Sequence, residues 1–372
     1  MLIYDARHLC NEFTGLGRYS AMLLKALLSH NARPDRIELL LDANTDYAKL
    51  SGFRPIERLL RPDDIVTRID APVFGGRHHV KAGGYVNSRR DALYFYPHFD
   101  LPLTLRRPAL FVVHDLSPLA DPAYLYRQRR LRRFGFKTLL GAALARANRG
   151  CIAVSQSTRA DILRFVSPRH GKRVRVVPNA ACLGPDDADY ASIAALELPP
   201  RFLLYAGDRR PNKNLRKMIA VFRRLRRDHS YPGHFVIAGS RTNTSFDLDA
   251  EVAGDESIHL TGPLPAGALA ALYARMECLF FLSTYEGFGM PVLEAAGFNR
   301  KIVTSNVASL PEVAPASALL LDPHGEAGHL AAEMARYLAD PSPIDNSAHC
   351  ARFSWKRTAE EIFGLGPMPA AA

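Results

Sequence analysis

The stretch YEGFGMPVLEAAG, residues 285–297, sets two carboxylates, Glu286 and Glu294, on either side of a turn carrying Gly287, Phe288, Gly289, Met290 and Pro291. The preceding run CLFFLS (278–283) reads as a strand, and PVLEAAGF has helical composition. The turn therefore lies after the carboxyl end of a strand and before a helix, where open α/β sheets bind ligands. Pro291 suits a first helical turn, where no N–H is needed, and Val292 follows in the same turn. Bare glycines let backbone amides approach a ligand, and amides at a helix start favour anions, phosphate above all. Carboxylates do not bind phosphate, but they accept hydrogen bonds from sugar hydroxyls. An anion pocket between two hydroxyl acceptors fits a nucleotide sugar, with the diphosphate in the middle, ribose on one side and hexose on the other. The plainer reading makes Glu294 a helix-dipole partner and Glu286 a solvated turn residue. The spacing alone does not choose between them.

The elements that must position such a turn are legible along the chain. LIYDA (2–6), IELLL (37–41), IVTRI (65–69), ALYFY (92–96), LFVVHD (110–115), IAVS (152–155) and VRVVP (174–178) read as strands. Continuous apolar runs of this length suit a sheet buried on both faces. SAMLLKALL (20–28) has the spacing of a helix with one buried face. The segment 178–200, rich in Pro, Ala and Asp, reads as a linker. Strands then alternate with helices again: FLLYAG (202–207), a helix at 212–227, HFVIAG (234–239), IHLTG (258–262), a helix at 266–276, CLFFLS, a helix from about 290, KIVTS (301–305), ALLLD (318–322) and a helix at 326–338. Alternation of this kind implies parallel βαβ units, and two sets imply two Rossmann-like domains. The length of 372 residues agrees with two domains.

Charge is unevenly distributed. Residues 1–178 hold 30 Lys and Arg against 15 Asp and Glu, a balance of +15; the rest hold 18 against 22, a balance of −4. The first half is expected to meet something anionic: nucleic acid, a phospholipid surface or a phosphate-bearing substrate. Five cysteines without a C-x-x-C pair argue against a disulfide framework or a zinc knuckle and fit a reducing cytosol. The opening MLIYDARHL lacks a signal-peptide pattern, and no apolar run has the length of a membrane span. The loop GGRHHVKAGG (75–84) is glycine-rich and basic, hence expected to be mobile and exposed, and the tail GPMPAAA to fray.

Several ordered motifs resemble one family. E-GFGMPVLEA-G followed by SLPEV (309–313) is similar to the retaining nucleotide-sugar glycosyltransferases of family four, which have the GT-B fold. DARHL…TGLGRYS resembles that family's first strand and glycine loop, and FVVHDLSPL (111–119) its HD segment. IAVSQSTRADI (152–162) and VRVVPNA (174–180) resemble the run closing the first domain, and YAGDRRPNKNL (205–215) the basic loop opening the second. FSWKRTAEEI (353–362) is similar to a terminal helix that crosses back to the first domain. The resemblance spans nearly the whole chain. Two departures stand out: GFNRKIV (297–303) where the family commonly has a glycine-proline pair, and PNA (178–180) in place of PNG.

The resemblance implies roles. Lys213, with Arg209 or Arg210, would neutralise the diphosphate leaving group, where such a site gains rate; a solvated basic turn is the plainer reading. Gly15 and Gly17 would line the cleft near the diphosphate and acceptor. As a partial G-x-G-x-x-G they also invite a dinucleotide reading, disfavoured by the lack of a convincing acidic residue ending a second strand. His114 would sit beside the donor sugar rather than serve as a satisfied core histidine. Glu286 would position the sugar while the departing phosphate oxygen takes the acceptor proton. No divalent metal is expected, since Lys and Arg supply the electrostatics. Asp247-Leu248-Asp249 spells the D-x-D of metal-dependent transferases of another fold and is read as coincidence, and adjacent His78 and His79 point apart, against a metal site. The segment 124–150, with Arg127, Arg129, Arg130, Arg132, Arg133, Lys137, Arg146 and Arg149 among leucines and a phenylalanine, reads as a membrane-surface helix. Its plainer reading is a solvated face packing its leucines on the sheet. No nucleic-acid motif is present.

The expectation is therefore an α/β chain of GT-B type, two doubly wound Rossmann-like domains facing each other across a cleft. Residues 1–182, with a returning helix at 347–365, would bind the acceptor, and residues 198–345 the nucleotide sugar. The reaction would move a hexose with retained configuration to a lipid-linked or polysaccharide acceptor at the inner face of the cytoplasmic membrane. GDP-mannose is favoured as donor, with UDP- or dTDP-sugars as alternatives. A sugar-nucleotide epimerase or phosphorylase of the same fold, or a non-catalytic glycan- or membrane-binding protein, are the competing readings; no acid/base set or pyridoxal lysine motif supports the first two.

Overall fold

The computed structural model describes residues 1–11, 14–50, 53–120, 130–166, 168–240 and 247–365. Among these, residues 1–120, 130–180 and 354–365 form one compact unit and residues 181–353 a second.

In the first unit seven strands form one parallel sheet: β1 (Leu2–Asp5), β2 (Ile37–Asp42), β3 (Ile65–Ile69), β4 (Leu93–Tyr96), β5 (Ala109–Val113), β6 (Cys151–Ala153) and β7 (Val174–Val176). Their order is β3-β2-β1-β4-β5-β6-β7, so the order reverses between β1 and β4. Every residue of β1 and β5 is buried, the charged Asp5 included, as in a sheet covered on both faces. Edge strand β3 instead alternates half-buried and exposed residues. Helix α1 (Gly15–Leu28) buries Tyr19, Leu23, Leu24 and Leu27 on one side. Helix α2 (Arg130–Arg146) buries Leu140 and Leu144 while Lys137 and Arg146 stay exposed and Phe134 is 70% exposed. Arg127 and Arg129 of the basic segment lie outside the described residues, as do the side chains of Arg130 and Arg132 and the tail 366–372.

The second unit has six parallel strands: β8 (Phe202–Ala206), β9 (His234–Ala238), β10 (Ile258–Gly262), β11 (Cys278–Phe281), β12 (Lys301–Ser305) and β13 (Leu319–Leu321). Their order, β10-β9-β8-β11-β12-β13, reverses between β8 and β11, where Cys278 pairs with Leu203 and Leu279 with Leu204. Helices α3 (Leu215–His229), α4 (Leu248–Val252), α5 (Ala266–Arg275), α6 (Met290–Gly297) and α7 (Ala327–Ala339) complete the alternation.

Helix α8 (Trp355–Phe363) belongs to the first unit. Trp355 stands edge-on to Tyr19 at 5.5 Å, and Phe363 packs on Phe95 at 5.0 Å. The Thr358 hydroxyl donates to the carbonyl of Pro178 at 2.9 Å. Residues 347–353, read from sequence as part of the returning helix, pack instead on the second unit, where His349 lies 2.8 Å from the Val313 carbonyl. Two other expectations need correcting. Residues 181–200 are not a free linker: they pack on α5, with the Asp189 amide donating to the Gly267 carbonyl at 3.0 Å. The stretch 75–84 is largely exposed, as expected, but it is not a loop. It is helical over His78–Ala82 and again from Gly83, and His78 is fully buried because its ring finds polar partners inside.

Candidate active site

The second unit places its charged residues at the strand-order reversal. β8 ends at Ala206, and the chain turns through Asp208, Arg209 and Arg210 into a short helical turn, Pro211–Lys213. Asn214 then takes a left-handed conformation (φ 58°), which an asparagine tolerates, and α3 begins. β11 ends at Phe281, and the following loop delivers Tyr285 and Glu286. Asparagine side chains stitch the two loops together. Asn212 Nδ2 donates to the Tyr285 carbonyl at 3.0 Å, and the Thr284 amide donates to the Asn212 carbonyl at 2.8 Å. Asn214 Nδ2 donates to the carbonyls of Leu282 and Pro323, each at 3.1 Å. Ser309, fully buried, donates through its hydroxyl to the Glu286 carbonyl at 2.9 Å.

This stitching brings Lys213 Nζ to 2.6 Å from Glu286 Oε1, with side chains 9% and 12% exposed. The ammonium also lies over the Phe281 ring at 5.5 Å. Arg209, 8% exposed, donates to Asp249 Oδ2 at 3.0 Å, whereas Arg210 folds back on Asp208 at 2.7 Å. Tyr205 lies beneath these groups. Burial pushes its hydroxyl well above the usual range, reinforced by the charges of Asp208 and Glu286 and opposed by Arg210 and Arg209. The D-x-D motif has a structural explanation: Asp247 caps α4 and Asp249 holds Arg209.

Beyond Glu286 the glycine turn runs into α6 as its residues dictate. Gly289 has φ +99°, and a Cβ there would stand 2.6 Å from Leu310 Cδ2, so glycine is required. Met290 and Pro291 open the helix. Met290 also lies 3.7 Å from the Cys182 thiol. Phe288 and Val292 are buried, Phe288 edge-on to Phe353. Glu294 is fully buried and accepts the Tyr273 hydroxyl at 2.9 Å, a tighter enclosure than a carboxylate flanking an open anion pocket. Gly287, by contrast, sits directly beside Glu286 in the loop.

In the first unit Gly15 and Gly17 are not in a loop before α1 but in its first turn, where the Gly17 amide donates to the Thr14 hydroxyl at 3.0 Å. His114, just past β5, stands edge-on to Tyr19 at 4.5 Å, on the same helix as those glycines. Its Nε2 donates to the Pro97 carbonyl at 2.8 Å, which leaves Nδ1 as the ring's acceptor. Burial lowers its pKa to about 4, against the effect of that hydrogen bond, so the ring is neutral at pH 7.

Residues 189–355, most of the second unit, match the family model described as glycosyl transferases group 1. O-antigen chain mannosyltransferase B of Escherichia coli is 27% identical over 386 aligned positions, covering 95% of this chain and 96% of that protein. Among solved structures, sucrose-phosphate synthase from Thermosynechococcus elongatus superposes with a TM-score of 0.70 at 18% identity, covering 98% of this chain and 97% of that one. Anabaena HepE, solved with UDP and glucose, gives 0.66 at 16% identity and covers 98% of each chain. The group 1 match of the second unit and the end-to-end likeness to a mannosyltransferase support a glycosyltransferase. The fold is GT-B, two Rossmann-like units.

The chain thus gathers Lys213, Glu286, Arg209 and Arg210 at one sheet reversal, and His114 with the α1 start in the other unit. Sequence reading missed Asn212, Asn214 and Ser309, which set the geometry of Lys213 and Glu286. The N-K-N triplet around Lys213 was the available signal, since an asparagine beside a turn is suited to bonding neighbouring backbone. Departures from the family pattern are absorbed locally. Asn299 takes φ 51°, and its side chain receives the Asn346 amide at 2.8 Å, while Lys301 binds the carbonyl of Tyr337 at 2.7 Å.

Proposed function

We propose that this chain is a glycosyltransferase that moves mannose from GDP-mannose, with retained anomeric configuration, to a lipid-linked or polysaccharide acceptor of a cell-surface glycan. The observation that carries the reading is the Lys213–Glu286 pair at the β8/β11 reversal. The end-to-end likeness to a mannosyltransferase of O-antigen chains supports the sugar and the acceptor class. The resemblance of TGLGRYS and SLPEV to GDP-mannose users supports the base.

In this reading the second unit binds the donor and the first unit the acceptor. Lys213, with Arg209 or Arg210, stabilises the charge that develops on the diphosphate as the bond from the anomeric carbon to phosphate oxygen breaks. The acceptor oxygen forms its bond to that carbon on the same face, and its proton passes to the departing phosphate oxygen. Glu286 holds hydroxyls of the transferred sugar. The backbone N–H groups of the 287–290 turn approach the phosphates. Neutral His114, with Gly15 and Gly17, is the first unit's contribution to substrate binding. Cationic side chains do the work a divalent metal does elsewhere, so no metal is required. The +15 balance of residues 1–178 and the exposed Lys137 and Arg146 of α2 support association with an anionic membrane surface.

Thermal unfolding with GDP, UDP and dTDP, with and without EDTA, tests this. A nucleotide at about 100 times its Kd adds about 2.7 kcal/mol. GDP alone should raise the transition, with EDTA making no difference. Stabilisation by UDP alone would reject the donor, and stabilisation abolished by EDTA would reject metal independence. Proton NMR of the product's anomeric signal then reads retention directly.

A further inference from the structure

The first sheet also has a reversal, between β1 and β4, and an internal polar relay fills it. Asp5 ends β1 and binds Arg7 Nε at 2.9 Å; both side chains are fully buried, and the Tyr94 hydroxyl donates to the same carboxylate. Arg7 donates onward to His78 Nδ1 at 3.1 Å. His78 must therefore carry its proton on Nε2, which donates to the Asp100 carbonyl at 2.7 Å. That bond fixes the backbone of Asp100, whose carboxylate takes Nδ1–H of His98. His8, 1% exposed, completes the floor, its ring 5.5 Å from His98 and its Nε2 3.2 Å from the Tyr96 hydroxyl.

The relay has an open end. His98 is 17% exposed, and no described residue hydrogen-bonds its Nε2. Beside it stands Phe74, 53% exposed, its ring edge-on to His98 at 5.5 Å and to His8 at 5.9 Å. An aromatic ring left half in water beside an oriented, unpartnered imidazole nitrogen is the pairing that recognises a sugar. The ring covers an apolar C–H face, and the nitrogen bonds a hydroxyl. A buried ion pair that serves stability alone would not need to end on a surface nitrogen.

We propose that Phe74 and His98 form a carbohydrate subsite, with His98 Nε2 bonding a hydroxyl of an acceptor sugar and Phe74 covering its ring. Asp100 and the Asp5–Arg7–His78 relay are positioning residues that hold the imidazole in place. The assignment rests on reading the first unit as the acceptor-binding one.

Isothermal titration of the full chain with methyl α-mannobioside tests it, beside a parallel titration with GDP. Phe74→Ala changes an exposed side chain, and His98→Phe keeps the ring while removing its nitrogens; the fluorescence of Trp355 reports that each is folded. Both variants should bind the disaccharide about tenfold more weakly and raise the KM for acceptor more than they lower kcat, with GDP binding unchanged. Asp100→Asn should weaken the sugar without affecting GDP. Wild-type affinity for the disaccharide in folded Phe74→Ala and His98→Phe would overturn the subsite, as would failure of the wild-type chain to bind the disaccharide at all. Loss of the GDP signal in every chain would strike the donor reading instead, and the sugar titration would still decide the subsite.

Discussion

Replacing Glu286 by Gln should tighten the binding of free nucleoside diphosphate while it slows transfer. The geometry sets the sign. Lys213 Nζ lies 2.6 Å from Glu286 Oε1. At an effective dielectric of about 20 that separation gives roughly 6 kcal/mol of direct attraction. Most of it is offset by the cost of taking both charges from water, and with side chains 9% and 12% exposed the pair lies between exposed and buried cases. A diphosphate must compete with Glu286 for the ammonium. Glutamine keeps the shape and removes the competitor, which should be worth about 1.4 kcal/mol, or about tenfold in Kd. Lys213→Ala does the reverse: it removes the cation and leaves a nearly enclosed carboxylate beside the phosphates. Loss of one preorganised group at a developing charge costs about 2.7–4 kcal/mol, or 10²–10³ in kcat.

Isothermal titration with GDP and single-turnover transfer separate the two effects. Glu286→Gln should lower the Kd for GDP and depress kcat, because the sugar is no longer held. Lys213→Ala should raise the Kd and depress kcat together. The double variant should bind GDP better than Lys213→Ala alone, since the repelling carboxylate is gone. Weaker GDP binding in Glu286→Gln would refute the reasoning, for it would mean that Glu286 assists the nucleotide rather than competing with it.

Three further outcomes follow from the structure. Ser309→Ala leaves the Glu286 carbonyl without its buried donor and should cost about 1 kcal/mol. Calorimetry should show a lower transition for the second unit together with reduced kcat; an unchanged transition and rate would remove Ser309 from the site. Gly289→Ala, at φ +99°, should destabilise by about 1–2 kcal/mol, readable as a lower urea midpoint. His8 and His114 are held neutral mainly by burial, with folded pKa values of about 3 and about 4. Because these lie below the unfolded value of about 6.5, the unfolded chain binds more protons in between, and stability is lost as pH falls from about 6.5 toward about 4. Near pH 5 the two together give a slope of about 2.5 kcal/mol per pH unit. Denaturant titrations followed by the fluorescence of the sole tryptophan, Trp355 in the first unit, should show it. His114→Asn should reduce the slope by about half.

The strands were legible because burial on both faces forces unbroken apolar runs, as in LFVV of β5 and CLFF of β11. Gly289 and Pro291 were legible for a local reason: a left-handed residue and a first helical turn restrict residue type by themselves. What escaped depends on partners far along the chain. Nothing near Asn212 in sequence announces the Tyr285 carbonyl, 73 positions away. His78 looked like part of a basic surface loop because its neighbours are glycine and arginine; its burial follows from Arg7, 71 positions earlier, turning a guanidinium toward it. Glu294 gave the right spacing for an open acceptor of hydrogen bonds, but the Tyr273 hydroxyl that encloses it comes from a separate helix. Periodicity reports which face a residue occupies and is silent about which polar group waits there.

The two reversals show how one architecture can serve unlike ligands. Helices leaving neighbouring strands to opposite faces of a sheet open a crevice at the strands' carboxyl ends, whatever side chains line it. In the second unit the crevice keeps Lys213 and Glu286 at its rim, each partly accessible, so their pairing can be exchanged for pairing with a charged ligand. In the first unit the charges are spent internally. Asp5 and Arg7 are both fully enclosed, and what reaches the surface is an imidazole nitrogen and a phenylalanine ring. An enclosed pair cannot be drawn off by an incoming ion without leaving a charge buried alone, which costs several kcal/mol. On the proposed reading, a crevice built that way favours neutral, hydroxyl-rich ligands over phosphates. The chemistry of transfer asks for that division: a donor that leaves as an anion, and an acceptor that presents a neutral hydroxyl.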